Sequence, residues 1–204
     1  MNEIRENRET DKYLVGRVLG GDTNAFSAII KNTEGLVTQI IFKMIKRTDD
    51  RKDIAQDIYL KAFKNLSGFR YQSKLSTWMA QIAYHTCFSY LEKKKEILFE
   101  QPKGIRKYSE DSSDPVGGEF LFSMFNQTEH DIFQRELNEI LKSEIERLSP
   151  VYQTLITLYH NEELSYEEIA GITQLPEGTV KNYLFRARKS LKDSLLSKYT
   201  KNEL

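Results

Sequence analysis

Three groups of residues in this 204-residue chain have types and spacings suited to binding. The first is Phe69-Arg70-Tyr71-Gln72-Ser73-Lys74, followed by Trp78 and, at helical intervals, Gln81, His85 and Ser89. Aromatic rings interleaved with cations suit single-stranded nucleic acid. Bases stack on the rings, at about 1–3 kcal/mol per base, while the cations meet phosphates. Gln81, His85 and Ser89 add hydrogen-bonding groups. Phe69 and Trp78 also suit a hydrophobic core, and for Trp78 a core position with one exposed edge is the stronger reading. The second group lies on a helix from Asp53 to Leu66. At about 100° per residue, Ile54, Ala55, Ile58, Tyr59, Ala62, Phe63 and Leu66 form its buried half. Asp53, Gln56, Asp57, Lys61 and Lys64 form the polar half, with Leu60 in its midst. An apolar residue rimmed by polar groups is suited to anchor a protein partner; a lone exposed leucine needs no such role.

The third group opens the last helix, Pro176-Glu177-Gly178-Thr179-Val180-Lys181-Asn182-Tyr183. A short helix, a tight break and a long basic helix form a helix-turn-helix, and a plain helical hairpin is the alternative. The early residues of a second, recognition helix meet base edges in the major groove. Thr179, Lys181, Asn182, Tyr183 and Arg186 are able to touch bases or phosphates, while Arg188, Lys189 and Lys192 supply charge further along. Val180 and Leu184, one turn apart, are expected to pack back on the first helix of the motif.

Catalytic chemistry finds little support. His85, His130 and His160 are dispersed, and no HExxH, Walker-type loop, Gly-x-Ser-x-Gly or GxGxxG occurs. The lone cysteine, Cys87, is about 200° round the helix from His85, so the two form no nucleophile pair. No enzyme activity, cofactor or metal site is expected.

These groups need elements to position them. Hydrophobic residues make up 39% and charged residues 29%, proportions of a globular protein, and 30 Lys and Arg balance 30 Asp and Glu. The balance conceals a split: residues 181–201 carry seven Lys or Arg against Asp193 alone, whereas 109–131 carry six acids and no Lys or Arg. A basic end beside an acidic middle suits a polyanion-binding module with a masking linker, or two solvated surfaces. One cysteine builds no disulfide, no apolar stretch is long enough to span a bilayer, and the acidic N-terminus lacks a signal core. A cytoplasmic protein is expected.

Gly20-Gly21 separates a first helix (11–19) from a second, with Asp22 placed to cap it. Ser67-Gly68 ends the third, and Thr77 is read as the N-cap of a fourth running to about Lys94. From Glu96 periodicity fades through Pro102, Gly104, Pro115 and Gly117-Gly118, leaving an acidic linker that contains an unusually apolar stretch, Phe120 to Phe125. Helical spacing resumes near Ile132. Ser149-Pro150 divides two helices, Ser165 with Glu168 forms a capping box, and residues 171–175 make the tight break. With no sustained alternation of period two, the fold is expected to be all-α. It divides into an N-terminal domain (1–95), a linker (96–131) and a C-terminal domain (132–204).

Taken together, the motifs resemble those of a known family. Asp53-Ile54-Ala55-Gln56-Asp57-Ile58-Tyr59-Leu60-Lys61-Ala62-Phe63 is similar to the polymerase-binding helix of sigma-70 factors. Phe69-Arg70 with Thr77-Trp78-Met79-Ala80-Gln81-Ile82-Ala83 resembles the promoter-melting segment of the extracytoplasmic-function (ECF) branch. Leu164 to Ala170 and Pro176 to Arg188 resemble its C-terminal helix-turn-helix. The resemblance implies a sigma factor without catalytic residues, whose partners are core RNA polymerase and promoter DNA, and leaves room for an anti-sigma factor. It implies that Asp53, Gln56, Asp57, Leu60 and Lys61 meet the polymerase clamp. Phe69, Arg70, Tyr71, Lys74, Trp78, Gln81, His85 and Ser89 are then the −10 set, acting on single-stranded DNA. Thr179, Lys181, Asn182, Tyr183, Arg186, Arg188 and Lys189 read the −35 duplex, and the C-terminal domain also touches the polymerase flap. It places the acidic linker in the RNA-exit path. His85 stands where many members carry Asn, and Tyr183 where many carry Arg. The rival reading is a stand-alone regulator that dimerises on an operator.

Overall fold

The computed structural model describes residues 2–94 and 130–199; the acidic run and the apolar stretch Phe120 to Phe125 of the expected linker lie outside the described residues. The elements are α1 (Asn2–Leu19), α2 (Asn24–Met44), α3 (Thr48–Asn65), a 3-10 turn (Leu66–Gly68) and α4 (Leu75–Lys93), then α5 (His130–Ile145), α6 (Pro150–His160), α7 (Tyr166–Thr173) and α8 (Glu177–Tyr199). No strand occurs among the described residues, so the fold is all-α. None of their helices is long and apolar enough to cross a membrane.

The N-terminal domain is built around α2. Its Ala25, Phe26, Ile29, Val37, Ile40, Ile41 and Met44 recur at intervals of three and four and are buried. Thr33, on the same face, satisfies its hydroxyl by donating to the Ile29 carbonyl at 2.8 Å. The Asp22 carboxylate accepts the Asn24 N–H at 3.1 Å, so it serves the start of α2 as expected. The start of α4 differs from expectation. The helix begins at Leu75, and Thr77 lies buried inside its first turn. The Leu75 N–H is met instead by the Asp11 carboxylate of α1 at 3.0 Å, a cap supplied from outside the local sequence.

In the C-terminal domain Ser149 precedes Pro150 at the first turn of α6, where a missing N–H costs nothing. The Gln153 amide donates to the carbonyls of Glu146 (3.0 Å) and Leu148 (2.8 Å), closing the α5–α6 corner. Glu144, a buried carboxylate, ties α5 to α8 by accepting from the Ser194 hydroxyl at 2.6 Å and from Lys198. These contacts hold its pKa below the ordinary value, Lys198 most and Ser194 next. The break between α7 and α8 is narrower than residues 171–175: Gly171 stays helical and Gln174 alone turns left-handed, at φ 56°.

The two domains pack against each other. Helix α6 lies on α2, and α7 lies on α4. Buried side chains from both domains join in one hydrophobic cluster.

Candidate functional site: one protein-binding face and two nucleic-acid faces

Helix α3 presents Asp53, Gln56, Asp57, Leu60 and Lys61 to solvent while Ile54, Ile58 and Ala62 anchor it inside. Leu60 is 51% exposed. Phe63 departs from expectation: read as part of the buried half, it is 40% exposed, its ring edge resting on Phe26 at 5.1 Å. The wheel explains this, since Phe63 lies about 140° from Ile58 but only about 60° from Leu60. Together with Ile30, Ala55 and Tyr59 these side chains line a shallow apolar groove rimmed by Lys52, Gln56 and Asp57. An apolar floor with a polar rim is the anatomy of a protein–protein contact.

The aromatic–basic segment sits beside it. Phe69, expected in the DNA-contacting set, is only 7% exposed: its ring packs on Tyr71 (4.8 Å) and Trp78 (5.4 Å), both of them half-exposed. Tyr71 has φ 57°, a left-handed conformation that for a residue with a side chain costs on the order of 1–3 kcal/mol. Arg70 is exposed, and Lys74 reaches across to Glu168 of α7 at 3.1 Å. Along α4, Trp78, Gln81, His85 and Ser89 form one stripe and line an open groove with Ile82, Lys61 and Gln174. Lys61 thus borders both faces, its ammonium donating to Thr86 at 3.2 Å. His85 Nε2 is buried without a hydrogen-bond partner. Burial lowers the His85 pKa, so the ring is neutral at pH 7.

The second nucleic-acid face is the helix-turn-helix. The Ser165 hydroxyl accepts the Glu168 N–H at 3.2 Å and the Glu168 carboxylate accepts the Ser165 N–H at 3.0 Å, a complete capping box opening α7. Val180, Leu184 and Ala187 of α8 are fully buried in a core with Ile169 and Ile172 of α7. That registers Lys181, Asn182 and Lys189 outward, with Thr179 and Arg186 half-buried beside them. Lys181 pairs with Glu177 at 2.7 Å. Two of the expected set face elsewhere. Tyr183 is half-buried with its ring edge on Tyr152 at 5.8 Å. Arg188 lies over the Tyr159 ring at 4.9 Å and donates to His160 Nε2 at 3.4 Å. Phe185, 62% exposed, was not singled out from the sequence, although it lies one turn from both Lys181 and Lys189 on the outward stripe.

No group of side chains among the described residues is arranged to hold a metal ion. Cys87 is buried and its thiol is pushed up to about 12, first by burial, so it is not a nucleophile at neutral pH.

Comparison with known proteins places both domains in one family. Residues 29–97 match the family described as Sigma-70 region 2, and residues 138–191 match Sigma-70, region 4. The chain is 31% identical to the ECF RNA polymerase sigma-E factor of Haemophilus influenzae, over 91% of this chain and 95% of that protein. It is 29% identical to the ECF RNA polymerase sigma factor SigW of Bacillus subtilis, over 90% and 96% of the two chains. Among solved structures, the fold is similar to that of CnrH in complex with the cytosolic domain of CnrY (TM-score 0.58, 17% identity, covering 92% of this chain and 98% of that one). It is also similar to the sigma factor RpoE in complex with the anti-sigma factor NepR from Bartonella quintana (TM-score 0.56, 20% identity, 83% and 96%).

Proposed function

The chain belongs to the sigma-70 family, in its ECF branch, and acts as an RNA polymerase sigma factor; on that premise we propose how its surfaces divide the work. The reading of a stand-alone regulator is set aside, because region 2 is matched as well as the helix-turn-helix. In our reading the N-terminal domain (1–95) binds the polymerase clamp through Asp53, Gln56, Asp57, Leu60 and Lys61, with Phe63 extending the apolar contact. Arg70, Tyr71, Lys74, Trp78, Gln81, His85 and Ser89 then capture the opened −10 strand, and Phe69 props the rings. The C-terminal domain (132–204) reads the −35 duplex with Thr179, Lys181, Asn182 and Arg186 and neutralises phosphates with Lys189. It also meets the polymerase flap, and the linker (96–131) follows the RNA-exit path. The protein performs no chemistry of its own and works in the cytoplasm beside polymerase, with an anti-sigma factor as a further partner.

A single juxtaposition carries this reading. One small domain holds an exposed apolar stripe, Leu60 and Phe63, directly beside an open polar–aromatic groove along α4. An operator-binding regulator has a use for neither. Polymerase contact fixes the domain in place, and unstacked bases then enter the groove, where stacking on Trp78 and Tyr71 offsets part of the melting cost. Permanganate footprinting tests it. Thymines of a promoter become reactive with holoenzyme containing the wild-type chain, and they stay protected when Tyr71 and Gln81 are replaced together although core binding is retained. Normal reactivity in that double variant would refute the assignment of the groove.

A further inference from the structure

We propose that Asp11 of α1 is a positioning residue for promoter opening: it caps α4 from a distant part of the chain and so fixes the backbone that presents Tyr71, Lys74 and Trp78 to the opened strand. This rests on the reading of the α4 groove as the −10 site.

The start of α4 has two competing uses for one position. Lys74 is the N-cap residue, extended at φ −61° and ψ 148°, and its carbonyl accepts the first helical bond, from the Trp78 N–H at 3.1 Å. Serine, threonine, aspartate or asparagine at that place accepts a helical N–H, whereas a lysine ammonium only donates. Lys74 accordingly makes no side-chain cap and stays exposed. Ser73 does not substitute for it, since its hydroxyl donates to the Lys74 carbonyl at 3.3 Å. The Leu75 N–H is met instead by the Asp11 carboxylate at 3.0 Å, 64 residues away in sequence. A carboxylate there also faces the positive end of the helix. A cation for DNA and an anion for the helix terminus thus share one corner because they come from different segments.

Asp11 lies on the same face of α1 as Leu14, Val15 and Val18, all of them buried. Those side chains seat α1, which also touches the 3-10 turn before Phe69. The segment from Phe69 to Leu75 is therefore held at both ends. At its start the Phe69 N–H donates to the Leu66 carbonyl at 3.1 Å, and the Phe69 ring packs on Tyr71 and Trp78. At its end Asp11 holds Leu75. Tyr71, left-handed at φ 57° between these points, keeps that conformation only while its surroundings impose it. Removing the Asp11 carboxylate releases one of the two ends, and the shared arrangement of Tyr71, Lys74 and Trp78 is lost.

The test uses full-length chains with core polymerase on a promoter that wild-type holoenzyme melts, at a temperature where thermal unfolding shows each variant folded. Asp11→Ala should bind core as tightly as wild type, yet permanganate reactivity of the −10 thymines should fall severalfold. Acrylamide should quench Trp78, the only tryptophan, more strongly in that variant. Asp11→Asn keeps an oxygen acceptor and should restore both readouts. The decisive pair moves the cap to its local place in the Asp11→Ala chain, Lys74→Ser against Lys74→Ala. Both lose the ammonium and its Glu168 partner, but only serine caps a helix. Serine should therefore return Trp78 quenching toward wild type and melt more promoter than alanine. Equal behaviour of that pair overturns the proposal, as does wild-type melting by Asp11→Ala. Loss of core affinity in step with melting, or a chain that folds only with aspartate or asparagine at 11, makes Asp11 a support of the whole domain and overturns it too. Failure of the underlying −10 reading has a separate signature: normal melting by holoenzyme in which Tyr71 and Gln81 are both replaced, with the Trp78 difference between serine and alanine intact.

Discussion

Replacing Leu60 by alanine separates binding from folding, because half of its side chain is already in water. Full burial of a leucine contributes about 1.5–3 kcal/mol. With 51% of the residue exposed in the free protein, docking on polymerase has about half of that left to gain, roughly 1 kcal/mol. A central position in the contact adds the loss of packing, so the total approaches the ~2 kcal/mol of a typical hot spot. Since about 1.4 kcal/mol is tenfold in affinity, Leu60→Ala should weaken core binding by roughly five- to thirtyfold. Its effect on folding should stay within about 0.5 kcal/mol, as for most exposed positions. Ile58→Ala, two residues away and fully buried, is the contrast: it should cost about 2–5 kcal/mol of stability through the cavity it leaves. The assay is competition of each full-length variant against labelled wild type for core polymerase, alongside thermal unfolding. Unchanged affinity for Leu60→Ala would refute the reasoning, as would a loss of affinity matched by an equal loss of stability.

Further outcomes follow from the other surfaces. Asn182→Ala or Arg186→Ala should change the −35 sequence preference of the holoenzyme by about 1–3 kcal/mol at one or two base pairs; Lys189→Ala should instead weaken all sequences alike and reduce the salt slope by about 1. Glu144 has a lowered folded pKa, so its stabilisation is complete above the ordinary value of 4.5 and is lost as pH falls through the lowered one. Urea unfolding of Glu144→Gln between neutral and acid pH should therefore show a shallower acid decline than wild type. The His85 pKa is lowered by burial, and that of His160 by burial and then by Arg188, so folding excludes their protons. Stability should fall as pH drops below the unfolded histidine value of about 6.5, and His85→Gln should reduce that fall.

Local rules made much of this molecule legible in its sequence, and long-range contacts account for most of what was not. The capping box of Ser165 and Glu168, the proline start of α6 and the inward register of Val180 and Leu184 all depend on residues within one or two turns of each other. The outward position of Leu60 was readable for the same reason. The start of α4 was not, because its cap comes from Asp11, 64 residues earlier. A serine or threonine beside an apolar run is weak information when a tertiary acceptor competes. Gly171 looked like the break before α8, yet Gln174 takes the left-handed turn, placing its side chain at the α4 groove. Phe63 sits at the margin of a helical wheel, where neighbours rather than periodicity decide exposure. The bridge from Lys74 to Glu168 depends on packing between the domains, and the inward turn of Tyr183 on the Tyr152 ring of α6; no local pattern encodes either.

The central claim is that one chain binds polymerase through α3 and opens promoters through the adjoining groove of α4. Its most direct test is run-off transcription with core polymerase on genomic fragments, followed by permanganate footprinting of the promoters it selects. The expected result is specific transcripts with wild type, none with Leu60→Ala at limiting chain concentration, and closed but polymerase-bound complexes with the Tyr71 and Gln81 double replacement. Specific transcripts that survive both sets of substitutions at the same chain concentration would contradict the account.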